Sequence, residues 1–113
     1  MSNRRPPLIS KSRSANGIVY TSGVTSAQGD AASQIRGCFE KLKNVLEEAG
    51  LGLGDVIKVN VYLADLADRE VHLNPIWLEY FPANPPSRTT VQAGLGGPLV
   101  EVEMVAAKRM LPS

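Results

Sequence analysis

Three side chains in the last third of the chain have the types and spacing for ligand chemistry. Arg88 follows Pro85-Pro86-Ser87 at the start of a β-prone run. Glu101 and Glu103 lie two residues apart in a second such run, alongside Val105 and Ala107. Residues two apart on a strand share a face, so the carboxylates stand together among apolar neighbours, where an unpaired charge is costly. Two readings follow. In the first, Arg88 neutralises one glutamate, or the pair lines a wet contact between subunits, the commoner outcome of such spacing. In the second, Arg88 holds a substrate carboxylate in a bidentate fork while a glutamate positions water.

The remaining inventory of reactive groups is thin. Cys38 falls inside the apolar stripe of a helix, which reads as core packing rather than catalysis. His72, the single imidazole, reads as a surface residue before a second helix. No serine sits in a nucleophile elbow, and no phosphate loop or dinucleotide fingerprint is present. Gly94-Leu95-Gly96-Gly97 lacks a following helix and reads as a connection between strands. One Cys and one His exclude a disulfide framework and any zinc site built from those ligands alone.

Composition narrows the class. The 113 residues are one domain's worth of chain, 43% hydrophobic and 20% charged, as in ordinary globular proteins. A net charge of +1 argues against a charge-driven nucleic-acid binder. The first thirteen residues hold Arg4, Arg5, Lys11 and Arg13 and no acid. This basic arm reads as a solvated, partly flexible tail on a domain spanning residues 1–113. No stretch approaches a membrane span or a signal-peptide core, which predicts a cytoplasmic protein with no membrane partner.

The elements that must position these residues can be read from periodicity. A weak strand near Leu8–Ser12, a turn at Asn16-Gly17 and a strand at Ile18–Ser22 form a predicted hairpin. Ile35, Cys38, Phe39, Leu42, Val45, Leu46 and Ala49 follow helical spacing between an Asp30 cap and a Gly50 stop. Val56–Leu63 alternates, with Ile57, Val59, Val61 and Leu63 expected on the packed face. A second helix within 68–81 is expected to start at an Asn74 cap with Pro75 in its first turn, anchored by Trp77, Leu78 and Phe81. Strands at Arg88–Ala93 and Leu99–Arg109 complete a ββαβαββ order. That is an α+β layer with two helices on one face of a sheet. The uncovered, half-apolar face predicts an oligomer.

The ordered set of segments resembles the YjgF/YER057c/UK114 family, the Rid (reactive intermediate deaminase) proteins, from about Asn16 to Lys108. The resemblance is carried by Ile18-Val19-Tyr20-Thr21-Ser22-Gly23, Glu48-Ala49-Gly50-Leu51, Asp55 through Leu63 with Asp65-Leu66, Phe81, Pro86-Ser87-Arg88-Thr89-Thr90-Val91, and Val100-Glu101-Val102-Glu103. It implies a chorismate-mutase-like fold assembled as a homotrimer with clefts between subunits. It also implies hydrolysis of 2-imino acids or their enamine tautomers, such as 2-aminoacrylate, to 2-keto acids and ammonia, with no metal or organic cofactor. Arg88 matches the arginine that binds the substrate carboxylate, and Glu101 the acid that orients water. Ser22 and Gly23 match the strand end lining the cleft. Thr90 stands where a family cysteine often contributes a backbone N–H.

Departures bear on substrate range. Thr90 replaces the common cysteine, the tyrosine that often follows the N-terminal proline is absent around Pro7-Leu8, and the 94–98 loop is about two residues shorter than in archetypes. A pathway-specific deaminase of the 2-aminomuconate type, or a non-enzymatic protein binding small carboxylates, are the alternatives.

Overall fold

The computed structural model describes residues 6–108; the start of the basic arm, and Arg109 at the expected end of the last strand, lie outside them. The elements are β1 (Ser12–Ala15), β2 (Ile18–Thr21), α1 (Ala31–Glu48), β3 (Val56–Leu63), α2 (Asn74–Tyr80), β4 (Ser87–Gln92) and β5 (Val100–Ala107). The strands form one sheet in the order β1-β2-β5-β3-β4, giving the expected α+β architecture. Only β3 and β4 run parallel. That pairing requires a crossover, which α2 supplies.

Asn16 and Gly17 turn the first hairpin with φ of 53° and 78°, the left-handed conformations a two-residue turn needs. The tight turn fixes the register, pairing Ala15 with Ile18 and Ser12 with Thr21. The first strand therefore begins at Ser12 rather than near Leu8, and Leu8 and Ile9 remain exposed ahead of it. Two residues of the expected basic arm are fixed. The Lys11 carbonyl accepts the Ser22 N–H at 2.9 Å, and Arg13 pairs with Tyr20.

α1 starts where the Asp30 carboxylate accepts the Ser33 N–H at 2.9 Å. It stops at Gly50, whose φ of 81° lets Leu51 N–H reach back to the Leu46 carbonyl at 2.8 Å. Its buried stripe packs on Val59, Val61, Leu63, Val100, Val102 and Met104 from the sheet. Phe39 meets Trp77 and Phe81 edge-on, with ring centroids 6.2 and 6.1 Å apart. Arg36 spans from α1 to Glu79 on α2 with two bonds of 2.5 and 2.8 Å, holding both helices on one face.

Three further expectations are corrected. A bulge between Val56 and Lys58 shifts the start of β3, so Val56 is buried and Ile57 is turned out. Leu78 is 64% exposed, and Ile76 takes the core position instead. Asn74 is not a cap: it is itself helical, and a wide π-turn over Arg69–Leu73 precedes it. Pro75 has no N–H to give and its ring crowds the carbonyl four residues back, and the wide turn relieves that crowding. Among the described residues no helix is long and apolar enough to cross a membrane.

Gln34 is a buried polar residue that the apolar stripe conceals. Its Nε2 donates to Gly29 O at 3.0 Å and its Oε1 accepts Leu99 N–H at 2.8 Å, joining the loop before α1 to the start of β5. Gln34→Ala would strand both backbone groups, at a cost of about 2 kcal/mol. Urea unfolding should show a lower midpoint with an unchanged slope.

Candidate functional site

Arg88 and Thr90 stand on β4 in register with Val59 and Val61 of β3, so they share the helix-covered face. β4 is the edge strand, and Asn74 and Trp77 of α2 reach Arg88 there. There Arg88 Nη2 donates to Asn74 Oδ1 at 2.8 Å, and the guanidinium carbon lies 4.9 Å from the centre of the Trp77 ring. Burial, and then the nearby charge of Arg69, hold the Arg88 pKa below its ordinary value. Both causes favour the arrival of an anion. Among the described residues no carboxylate forms an ion pair with Arg88.

Within one chain, Arg88 does not pair with either glutamate. Glu101 and Glu103 face the opposite side of the sheet, in register with Tyr62 and Asn60. β3 lies between β5 and β4, so the charges are two strand spacings apart, about 10 Å, before the opposed faces are counted. Glu103 accepts a hydrogen bond from the Tyr62 hydroxyl. That bond is the main reason the Tyr62 pKa is raised.

Glu101 has a different neighbour. A Cβ placed on Gly23 would lie 2.7 Å from Glu101 Oε2 and 3.1 Å from its Cγ. Gly23 therefore leaves open the space the carboxylate occupies. Ser22 is committed elsewhere, because its hydroxyl donates to Ser10 O at 2.6 Å. Ser22 and Gly23 border a recess of about 460 Å³ between the entering chain and α1, flanked by Lys11 and Lys41. Arg88 lies in a separate recess, of about 430 Å³, with Asn74 and Trp77.

The five residues picked from sequence thus form two groups. Arg88 and Thr90 make one; Glu101, Gly23 and Ser22 make the other. Thr90 Oγ1 is buried with no hydrogen-bond partner. Its N–H points the other way from the ladder, since Ala93 donates inward to Leu63 O at 2.9 Å and strand residues alternate. Arg88 and the Thr90 N–H are therefore two donors at one open sheet edge. Asn74 and Trp77 were not recognised as partners of Arg88, because Asn74-Pro75 carries the signature of a helix start and Trp77 that of core.

Cys38 is buried against the Val24 carbonyl, and burial pushes its thiol up to about 11. It is a packing residue, as expected. His72 lies 3.9 Å from Asp68, one turn before it. Among the described residues no cluster of His, Cys, Asp and Glu could hold a metal ion.

Comparison with known proteins places this geometry in a family. Residues 9–108 match the family described as Endoribonuclease L-PSP, and the chain belongs to it. A relative named 3-aminoacrylate deaminase RutC, from Acinetobacter baylyi, is 39% identical over 102 residues, 81% of this chain and 80% of its own. The crystal structure of RidA from an Antarctic Psychrobacter superposes with a TM-score of 0.84 at 30% identity, covering 93% of this chain and 92% of that one. A YjgF-family protein of Neisseria meningitidis gives 0.85 at 28% identity, over 95% and 92% of the two chains.

Gly23→Ala should leave the fold intact, because the intruding methyl meets the mobile end of Glu101; the expected loss is about 1 kcal/mol. The Glu101 carboxylate should be displaced. Thermal melting checks the first statement, and a crystal structure of the variant the second.

Proposed function

We propose that this protein hydrolyses 2-imino acids and their enamine tautomers to 2-keto acids and ammonia, in the cytoplasm and in clefts between the copies of a homotrimer. The observation that carries this reading is Arg88: half-buried, fixed by Asn74 and Trp77, and without a carboxylate of its own. Such a cation is pre-organised for the planar fork of a substrate carboxylate. The Thr90 N–H at the same edge supplies a further donor. Support also comes from the named deaminase activity of the RutC relative.

The chemistry asks little of the protein. An imine carbon is already electrophilic, so the task is to place water and move protons. Glu101 accepts a proton as water attacks that carbon, forming a carbinolamine. That proton passes to the imine nitrogen to complete the carbinolamine. The carbinolamine hydroxyl then gives up its own proton, by way of Glu101, to the amino nitrogen as the C–N bond breaks, releasing ammonia and leaving the keto acid. No nucleophilic side chain and no cofactor are required for these steps, which suits a chain whose one thiol is held protonated in the core.

Arg88 and Glu101 of one copy cannot act on one substrate, since they lie on opposite faces of the sheet. A complete site takes Arg88 from one copy and Glu101 from another. The uncovered sheet face, with Tyr20 and Val91 half-exposed, is the surface a trimer would cover.

Imines generated in place by a serine or threonine dehydratase, with a competing amine trap, test the reaction. Wild type should accelerate keto-acid release, and Arg88→Ala should lower kcat/KM by about 2–5 kcal/mol of lost transition-state binding. No acceleration by a well-folded wild type would leave a carboxylate-binding role without this catalysis. Mixing tests the shared site. Arg88→Ala and Glu101→Gln should each be inactive, yet co-assembled in equal amounts they should recover about a quarter of wild-type activity, the random share of intact pairs. No recovery from a mixed assembly would overturn the shared site and, with it, a role for Glu101 beside Arg88.

A further inference from the structure

The hydrolysis just described uses the carboxylate and the imine of its substrate and leaves the side chain unassigned. The recess around Arg88 has a wall for it. That wall is formed by the Trp77 ring, Leu78, Pro85 and Pro86. Among the described residues, the polar side chains lining the recess are Arg88, Asn74 and the indole of Trp77, and the Asn74 side-chain oxygen already accepts from Arg88. A lone exposed leucine is ordinary. Leu78, however, is 64% exposed beside an oriented and unpaired cation. Its neighbours are rigid, since two successive prolines fix the backbone after Asn84, itself held at φ 49°.

Charge and apolar surface together define the occupant. Arg88 takes an anionic head, and a carboxylate in a guanidinium fork lies in the guanidinium plane. The guanidinium carbon lies 4.9 Å from the centre of the Trp77 ring and Leu78 lines the same recess, so a carboxylate held by Arg88 brings the substituent on its neighbouring carbon within reach of both. Resting on the deaminase reading, we infer that Trp77, Leu78 and the two prolines form a side-chain subsite. It selects 2-imino acids with four- or five-carbon-sized aliphatic or thioether side chains over the smallest members of the class. Leu78 sets that preference because it is the wall residue that the core does not need.

The test compares imines made in place by a broad-specificity L-amino-acid oxidase, with catalase, from alanine, leucine and methionine. Keto acid is measured against a semicarbazide trap. Wild type should favour the leucine and methionine imines over the alanine imine by about tenfold or more in kcat/KM, since each buried methylene is worth up to about fourfold. Leu78→Glu should abolish most of that ratio, whereas Leu78→Met should keep it within about threefold. Equal kcat/KM for all three imines in wild type would overturn the subsite. So would a Leu78→Glu variant that slows all three alike. If light scattering shows that Leu78→Glu dissociates the assembly, the wall belongs to a contact between copies and the proposal fails. Failure of wild type on every imine would remove the deaminase reading, and the subsite with it; activity without preference would remove the subsite alone.

Discussion

A sheet covered on one side must send every second side chain into the core, and this parity governs where the chemistry of the molecule can lie. On β5, Val100, Val102, Met104 and Ala106 are the buried set, so Glu101 and Glu103 face outward. On β3, Val59, Val61 and Leu63 are buried, and the parallel register carries Arg88 and Thr90 to that same inner face. Neither assignment can be changed singly. A one-residue slip of any strand would expose its whole apolar set. The separation of the arginine from the glutamate is thus a consequence of how the core is made.

Arg88 is tolerable on the inner face because β4 is the edge. A cation under α1, among Phe39, Leu42 and Leu46, would have no partner and a prohibitive desolvation cost. At the edge the π-turn before Pro75 brings Asn74 into helical register, and Asn74 and Trp77 replace part of the lost hydration. Burial, and then the charge of Arg69, still hold the Arg88 pKa below its ordinary value. The guanidinium is held in place without a carboxylate partner in its own chain, which is what the proposed binding of a substrate carboxylate requires.

Much of the fold could be read from the chain. Asp30 and Gly50 bound α1 through local backbone chemistry, and Asn16-Gly17 fixes the hairpin register; both depend on residues a few positions apart. Errors fell where a longer-range contact overrode a local pattern. Ile57 continues the alternation of β3, but the bulge against β5 turns it out. Leu78 has helical spacing with Trp77, yet Ile76 lies on the side that faces the sheet. Asn74-Pro75 has the composition of a helix start, and only the preceding turn and the bond to Arg88 show that Asn74 is inside the helix.

By itself the sequence determined the α+β order of elements, the two capped ends of α1, the packing role of Cys38, and which side chains were candidates for the site. These follow from periodicity and from residue types acting on their near neighbours. Tertiary structure alone decided the partners. It put Asn74 and Trp77 around Arg88, Tyr62 on Glu103 and Gly23 beside Glu101, and it divided the five candidates between two places. Those outcomes depend on strand order and on parity across three strands, and no single stretch of chain carries either.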